Sequence, residues 1–443
     1  MEKEKLKKNR SKISKKKRNN AILYPIYKMF SWDLLCFYSI EFLFYTITKG
    51  ITASQALLIT SAYIIGKLLF QIPSVAISDY LGKKKSMIIG NLILVIYMFI
   101  LIFSPNIWWM IFATILSGFG YDIKTITEGN LLYDSVATHG GDGIYTKIDS
   151  KGASAYYIID TILSIIAGYL FVINNYIPIY ICLLFLIISL LLSFQFKDIH
   201  RSKKEKTGIK FKEFISGYSE DIKSSFKFIK RSNRMKSYIL FAALFYGIIK
   251  IMSTYRSDLL TNIGIGEEQF SMIYAILSLI AAISSMFSEK VQKYFKNKTL
   301  KVISLSYIIS IICIGIIAIN ITNNIAVPLI LIFCSIMRIS DSQWYVTEYT
   351  YLRNFTTYES RTKITFTFEL IVGVAASILS ICGAILLNYL NIEYAILLLG
   401  LLSLALITVV LDYMRSRFGL KPNQYTKEDL EFGTDKENDN VKV

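Results

Sequence analysis

The sequence predicts an all-α membrane protein of twelve transmembrane helices arranged as two pseudo-symmetric six-helix bundles. Three observations carry that expectation. Of 443 residues, 53% are apolar and 14% aromatic, with a mean hydropathy of +0.46, which is not the composition of a water-soluble domain. Long apolar stretches recur along the chain, each near or above the roughly 20 residues needed to cross about 30 Å of hydrocarbon. The basic residues gather at the amino end and in every second connection between those stretches, which is how a charge-sorted membrane topology reads.

Residues 1–21 form a polybasic tail, dense in Lys and Arg from Lys3 to Arg18. Its composition predicts disorder and attraction to anionic lipid headgroups. A cleavable signal peptide is not expected, because the apolar stretch that follows is too long, carries Asp33 and lacks a small-residue cleavage site. An amino-terminal bundle over residues 22–196 then holds Ile22–Thr46, Gln55–Ile77, Met87–Phe103, Trp108–Tyr133, Ala153–Ile173 and Ile177–Phe196. A charged cytoplasmic loop, 197–237, divides it from a second bundle over 238–413. There the segments are Tyr238–Leu260, Phe270–Phe287, Val302–Ile319, Ile325–Leu352, Ile364–Leu387 and Ala395–Tyr413. Residues 414–443 are a second cytoplasmic tail.

Lys49 is the exception among odd-numbered connections, which are short and nearly free of Lys and Arg. The even-numbered ones hold Lys83–Lys85, Lys147 and Lys151, the central run, Lys290 to Lys301, and Arg353 to Lys363. Both termini are therefore expected on the cytoplasmic side of a plasma membrane. The halves also echo one another. Glu128-Gly129-Asn130-Leu131-Leu132-Tyr133-Asp134 closes the fourth segment, and Glu348-Tyr349-Thr350-Tyr351-Leu352-Arg353-Asn354 closes the tenth. Two like-built halves are a common transporter architecture.

Between the second and third segments lies Ser78-Asp79-Tyr80-Leu81-Gly82-Lys83-Lys84-Lys85-Ser86, a turn too short to fold by itself, so its flanking helices must be antiparallel neighbours. Gly82 supplies the backbone freedom for the reversal. This stretch resembles the signature loop of the major facilitator superfamily of secondary transporters, roughly G-x-L-a-D-R-x-G-R-[RK]. Asp79, Gly82, Lys83 and Lys84 match its aspartate, glycine and two basic positions, while Val75 and Tyr80 stand where a glycine and an arginine are usual. The resemblance implies a gating role for the turn, alternating access between two bundles, and no enzymatic activity.

Ionisable groups deep in a bilayer cost about 2.5–3.5 kcal/mol each on insertion scales, so they mark cavities or partners. At 1.5 Å per residue, Asp33 lies roughly 17 Å beyond Ile22, near the midplane. Lys67, Asp160 and Lys250 come out at similar depth, and Arg338 and Asp341 share one face of the tenth segment. Asp33 is the candidate proton-coupling site, with Lys67, Asp160, Lys250, Arg338 and Asp341 completing a candidate cavity. Static pairs, Asp33 with Lys250 or Asp160 with Lys67, are the structural alternative. Asp122, Lys124, Glu128 and Glu348 form a candidate cytoplasmic gate, with an i, i+4 salt bridge between Lys124 and Glu128 as the plainer reading. Tyrosines such as Tyr38, Tyr63, Tyr121, Tyr156 and Tyr157 suit either filler between helices or the wall of a cavity for a flat, amphipathic compound.

Five cysteines, all in apolar stretches without ligand spacing, and two histidines in polar ones predict neither a disulfide framework nor a metal site. No Walker loop is present, so the expected energy source is a proton gradient and no cofactor. The net charge of +17 is spread between apolar runs, which argues against nucleic acid. The leading expectation is proton-coupled efflux of a small drug or metabolite by a monomeric carrier. That direction follows from the signature turn, the carboxylate in the first segment and the lack of a sugar-porter signature. Against it, Gly152 to Gly168 contains no proline of the kind drug antiporters carry, and Thr114 stands about where many members have arginine. The alternative is a symporter or uniporter importing a small nutrient, with a membrane sensor or polytopic enzyme more remote.

Overall fold

A computed structural model describes residues 2–136, 142–197, 223–224, 226–320, 325–354 and 361–417, and among them there is helix and no strand. Most of the central loop, the tail beyond 417, His139 and His200 lie outside the described residues. In chain order the helices are α1 Glu2–Ser31, α2 Glu41–Leu43, α3 Ala53–Leu81, α4 Lys83–Phe103, α5 Ile107–Val136, α6 Asp142–Ile173 and α7 Ile177–Gln195. After the central loop come α8 Asn233–Asn262, α9 Glu267–Met286, α10 Ser288–Phe295, α11 Thr299–Ile319, α12 Ala326–Asn354, α13 Arg361–Leu387 and α14 Ile392–Arg415.

Ten of the described helices are long and apolar enough to cross a membrane. Two predicted spans fall outside that set. One is α5, which carries Asp122, Lys124 and Glu128, and the other is the first segment, which is not one helix. The expectation of a continuous helix over Ile22–Thr46 is thereby corrected. Helix α1 stops at Ser31, Trp32–Ile40 is non-helical, and the chain re-enters through α2 and a π-helical turn, Phe44–Thr48. The Asp33 carboxylate explains the stop, because it accepts a hydrogen bond from the next backbone N–H, Leu34, at 2.9 Å, a local bond that competes with the helical ladder. Cys36 then takes a left-handed φ of 67°, rare for a residue with a side chain. At its other end, α1 starts within the polybasic tail, where disorder was expected; Lys, Arg and Glu are good helix formers and extend a helix already anchored by its apolar half.

The chain divides into two compact units. Unit 1 comprises Met1–Thr52, Ala62–Ser216 and Gly266–Ala275; unit 2 comprises Ala53–Ser61, Gly217–Ile265 and Ile276–Val443. The first turns of α3 and of α9 are thus each assigned with the other half of the sequence. Within unit 1, α1 packs on α5, α6 and α7, and α4 packs on α5 and α7. Within unit 2, α8 packs on α12, α13 and α14, and α11 packs on α12 and α14. Replacing each helix of the first set by its counterpart in the second reproduces the pattern, so the repeat seen in the sequence is a repeat of packing.

Both cores are aromatic. In unit 1 Tyr24, Tyr27, Met87, Leu131, Leu132, Val136 and Phe196 form one buried cluster. In unit 2 the fully buried Trp344 meets Phe241 and Phe245 edge-on, with ring centroids 5.6 and 5.4 Å away. Large apolar side chains such as Phe103, Trp108 and Ile173 are more than two-thirds exposed, a surface suited to lipid and unsuited to water.

Candidate functional site

The break in the first segment organises the site of unit 1. An α-helix ends in carbonyl groups without partners and with partial negative charge. Here the buried Lys124 of α5 reaches those of α1, donating to the carbonyl oxygen of Ser31 and, at 3.4 Å, to that of Trp32. Its Nζ also lies 4.5 Å from the centroid of the Tyr121 ring, one turn back on the same helix. The Tyr121 hydroxyl donates to Asp33 Oδ1 at 3.0 Å. An anion at a carbonyl end is unfavourable alone, so the carboxylate is held by Tyr121, by the Leu34 amide and by the nearby Lys124 charge.

Four further ionisable groups surround this centre. Lys67 of α3 lies 3.8 Å from Asp122 of α5. Those helices approach closely because a Cβ on Gly66 would meet the Ile115 carbonyl at 2.4 Å, and one on Gly118 would meet the Lys67 amide at 2.6 Å. Asp160 of α6 is half-buried and within electrostatic reach of Asp33. The buried Glu128 sits beside the Tyr27 hydroxyl. Around them, Trp32 stacks on Tyr156 and tilts over Tyr157, at centroid distances of 6.0 and 5.8 Å, and Tyr63 meets Tyr121 edge-on at 6.0 Å. Trp32, Tyr63 and Tyr157 keep part of their surface exposed, so this wall offers flat aromatic faces next to a carboxylate and an ammonium group.

Sequence reasoning passed over a second buried cluster in unit 1. Lys28 of α1 pairs with Asp149 of α6, whose Oδ1 also accepts from the Tyr24 hydroxyl at 3.1 Å, and the Lys28 ammonium lies 4.1 Å from the Trp32 ring centroid. Its aliphatic stem fits because residue 152 is glycine: a Cβ there would meet the stem at 2.8 Å. Deeper in, Asn91 of α4 donates to the Tyr27 hydroxyl at 2.8 Å and accepts from Ser189 of α7 at 3.0 Å. Lys28 stands five residues before Asp33 in an otherwise apolar run, and that was the available signal.

In unit 2 the picture is simpler. Arg338 bonds Asp341 across one turn of α12 at 2.6 Å, as their shared face predicts. Lys250 of α8 is half-buried, with its ammonium 5.3 Å from the Tyr246 ring centroid. Glu348 is buried, and its backbone carbonyl accepts from Tyr238 of α8 at 2.7 Å. Where unit 1 has Lys124, the repeat places Trp344, and α8 runs unbroken beside it.

At the signature turn Gly82, with φ 85° and ψ 151°, separates α3 from α4. Lys83 pairs with Asp134 at the end of α5 at 2.5 Å, and Lys84 lies in the first turn of α4. The Asp79 side chain lies outside the described residues. Outside the spans, burial lowers the Lys49 ammonium below the ordinary lysine pKa, although it donates to the Ile102 and Ser104 carbonyls at 2.7 and 3.2 Å. Burial, then the charge of Asp149, raises the Tyr145 hydroxyl above its usual value. Among the described residues no cluster of His, Cys, Asp and Glu could hold a metal ion.

Solved structures similar to this chain include transporters. The chain is similar to the nucleoside transporter NupG, with a TM-score of 0.69 and 13% identity over 90% of this chain and 99% of that one. A POT family transporter in complex with 5-aminolevulinic acid gives 0.65 and 16% over 90% and 96%. A D-xylose-proton symporter gives 0.64 and 11% over 90% and 97%. No curated protein matches the chain in sequence. The sequence model of the Major Facilitator Superfamily matches residues 29–340. With the signature turn, the repeated packing and that match in agreement, the chain belongs to the Major Facilitator Superfamily and is a multi-pass membrane transporter rather than an enzyme.

Proposed function

We propose that this transporter is a proton-coupled carrier of a small, polar, flat-faced solute, with Asp33 as the group that takes up and releases the proton. The observation that carries the reading is the broken first segment. It sets a carboxylate at a helix end, bonded by Tyr121 and beside Lys124, with partly exposed aromatic rings next to it. Interrupted helices near the midplane are where carriers of many folds hold solute and coupling ion. Protonating Asp33 removes the charge that Tyr121 and Lys124 hold, and so changes which conformation of the carrier is favoured. Lys67, Asp122 and Asp160 line the same region and would meet the polar part of the solute. The membrane is the plasma membrane, with both termini cytoplasmic and the basic tail against anionic headgroups.

For direction, the first reading is efflux of a drug or metabolite. The second is uptake by symport, and the polar character of the unit 1 site favours it. A nucleoside transporter and a xylose-proton symporter share this architecture, in keeping with polar cargo. Flux of a panel of nucleosides, short peptides, sugars and cationic dyes, in right-side-out and inverted vesicles with an imposed pH gradient, separates the readings. Accumulation in right-side-out vesicles under an inward proton gradient supports symport, and accumulation in inverted vesicles with acidic interiors supports export. Asp33→Asn should abolish the gradient-driven component while leaving substrate exchange. Gradient-insensitive flux in the unaltered protein removes the coupling claim.

A further inference from the structure

A cavity of about 420 Å³ lies wholly within unit 2. Its walls come from the end of α9, the middle of α12, the first turns of α11 and the short helix α10. The volume falls within the roughly 300–1,000 Å³ of ordinary small-molecule sites. Polar atoms in the wall are already largely engaged with one another: Ser306 and Ser340 share a hydrogen bond of 2.7 Å, and Gln343 donates to the Ser284 carbonyl and hydroxyl at 2.5 and 2.9 Å. What the cavity presents is apolar, dominated by isoleucine, valine and phenylalanine side chains.

Helix α10 makes one edge of it. Phe287, Val291 and Phe295 are spaced by four residues, hence on one face, and all three line the cavity. Lys290, Lys293 and Tyr294 are exposed, and the chain continues through the exposed Lys296, Lys298 and Lys301. From 287 to 301 the sequence has these five lysines against the single acid Glu289. The Lys290 ammonium lies 5.3 Å from the ring centroid of Phe287, a wall residue, which ties the charge to the rim. Met286 and Tyr294 are each about 81% exposed beside these lysines. A short helix with one apolar face and a lysine-rich polar face is built to lie in the interface plane of a bilayer.

We propose that this cavity is a binding site for an anionic phospholipid, with an acyl chain lodged against the apolar walls and the phosphate among the lysines of α10 and the start of α11. Charge complementarity selects this occupant. A zwitterionic lipid would fill the same walls but gain nothing net from the rim, whereas an anionic headgroup is attracted by each basic residue near it. The site is separate from the ionisable centre of unit 1 and does not depend on what that centre carries.

The test uses the full-length protein in detergent, titrated with palmitoyl-oleoyl phosphatidylglycerol, with the matching phosphatidylcholine, or with water-soluble glycerol phosphate. Thermal unfolding midpoint and lipids retained in native mass spectrometry are the readouts. Phosphatidylglycerol should raise the midpoint saturably and be retained, with phosphatidylcholine and glycerol phosphate each doing less. Lys290→Gln/Lys293→Gln/Lys296→Gln should weaken half-saturation at least about tenfold. Val291→Trp, which fills the cavity from the surface helix, should remove the lipid-dependent rise, read against that variant's own midpoint without added lipid. Equal stabilisation by both lipids would mean ordinary annular lipid, and an equal effect of glycerol phosphate would mean a headgroup site without a chain; either overturns the proposal. A phosphatidylglycerol effect untouched by both the lysine and the Val291 changes places the lipid elsewhere and overturns it too.

Discussion

Lys124 spends its ammonium group on backbone carbonyls inside a membrane-embedded bundle, an arrangement that joins α5 to the end of α1. Lys124→Met should leave those carbonyls buried without a donor, at about 1–3 kcal/mol, read as a lower unfolding midpoint in detergent. A midpoint equal to that of the unaltered protein would remove the capping role. The Lys28–Asp149 pair gives a second residue-level expectation. Asp149→Asn strands a buried ammonium and should cost up to about 3 kcal/mol, somewhat reduced because about 27% of the Asp149 side chain is exposed. Adding Lys28→Met should recover most of that loss, and a double-mutant cycle on thermal stability measures it. The depth of Asp33 was legible from counting residues along the first segment. Its partners were not, because Tyr121 and Lys124 come from a helix some 90 residues away, and only packing decides which of their neighbours they meet.

Among the elements, the turn after α3 and the approach of α3 to α5 make the sharpest demands on single residues. At Gly82 the φ of 85° with ψ near 151° is a region open essentially to glycine, so Gly82→Ala should cost about 1–3 kcal/mol. Lower yield of folded protein on size exclusion and a lower midpoint would register it. Gly118→Val should do more, because its side chain would enter the α3 backbone and push Lys67 from Asp122. Loss of transport is expected even in the fraction that folds, and full activity of that variant would show that the close approach is not needed. The turn itself was readable from its glycine and lysines. The break at Trp32–Ile40 was not, since that run has no Gly or Pro and is apolar but for Asp33 and Ser39. A hydrophobic run reports that a segment will enter the bilayer, and says little about whether its backbone stays helical when side chains elsewhere can take up the freed carbonyls.

For the whole molecule, the agreement of charge pattern, internal repeat and helix pairing is what makes it a carrier. Reporter fusions at both ends and in the connection holding Lys290 to Lys301 should all report the cytoplasmic side, and a reporter beside Lys49 the opposite one. Ends on opposite faces would contradict the topology. The sequence by itself determined that the chain lives in a bilayer, roughly where it crosses, and that its halves are built alike. Those properties depend on transfer free energies and charge bias summed over many residues, so they survive without knowledge of any contact. Tertiary structure decided that the first segment is broken, that Lys124 caps it, that Lys28 meets Asp149, and that Trp344 fills the place Lys124 holds in the other unit. Each of those depends on a buried polar or bulky group finding one partner among several within reach, and the energy that chooses exists only once the helices are packed.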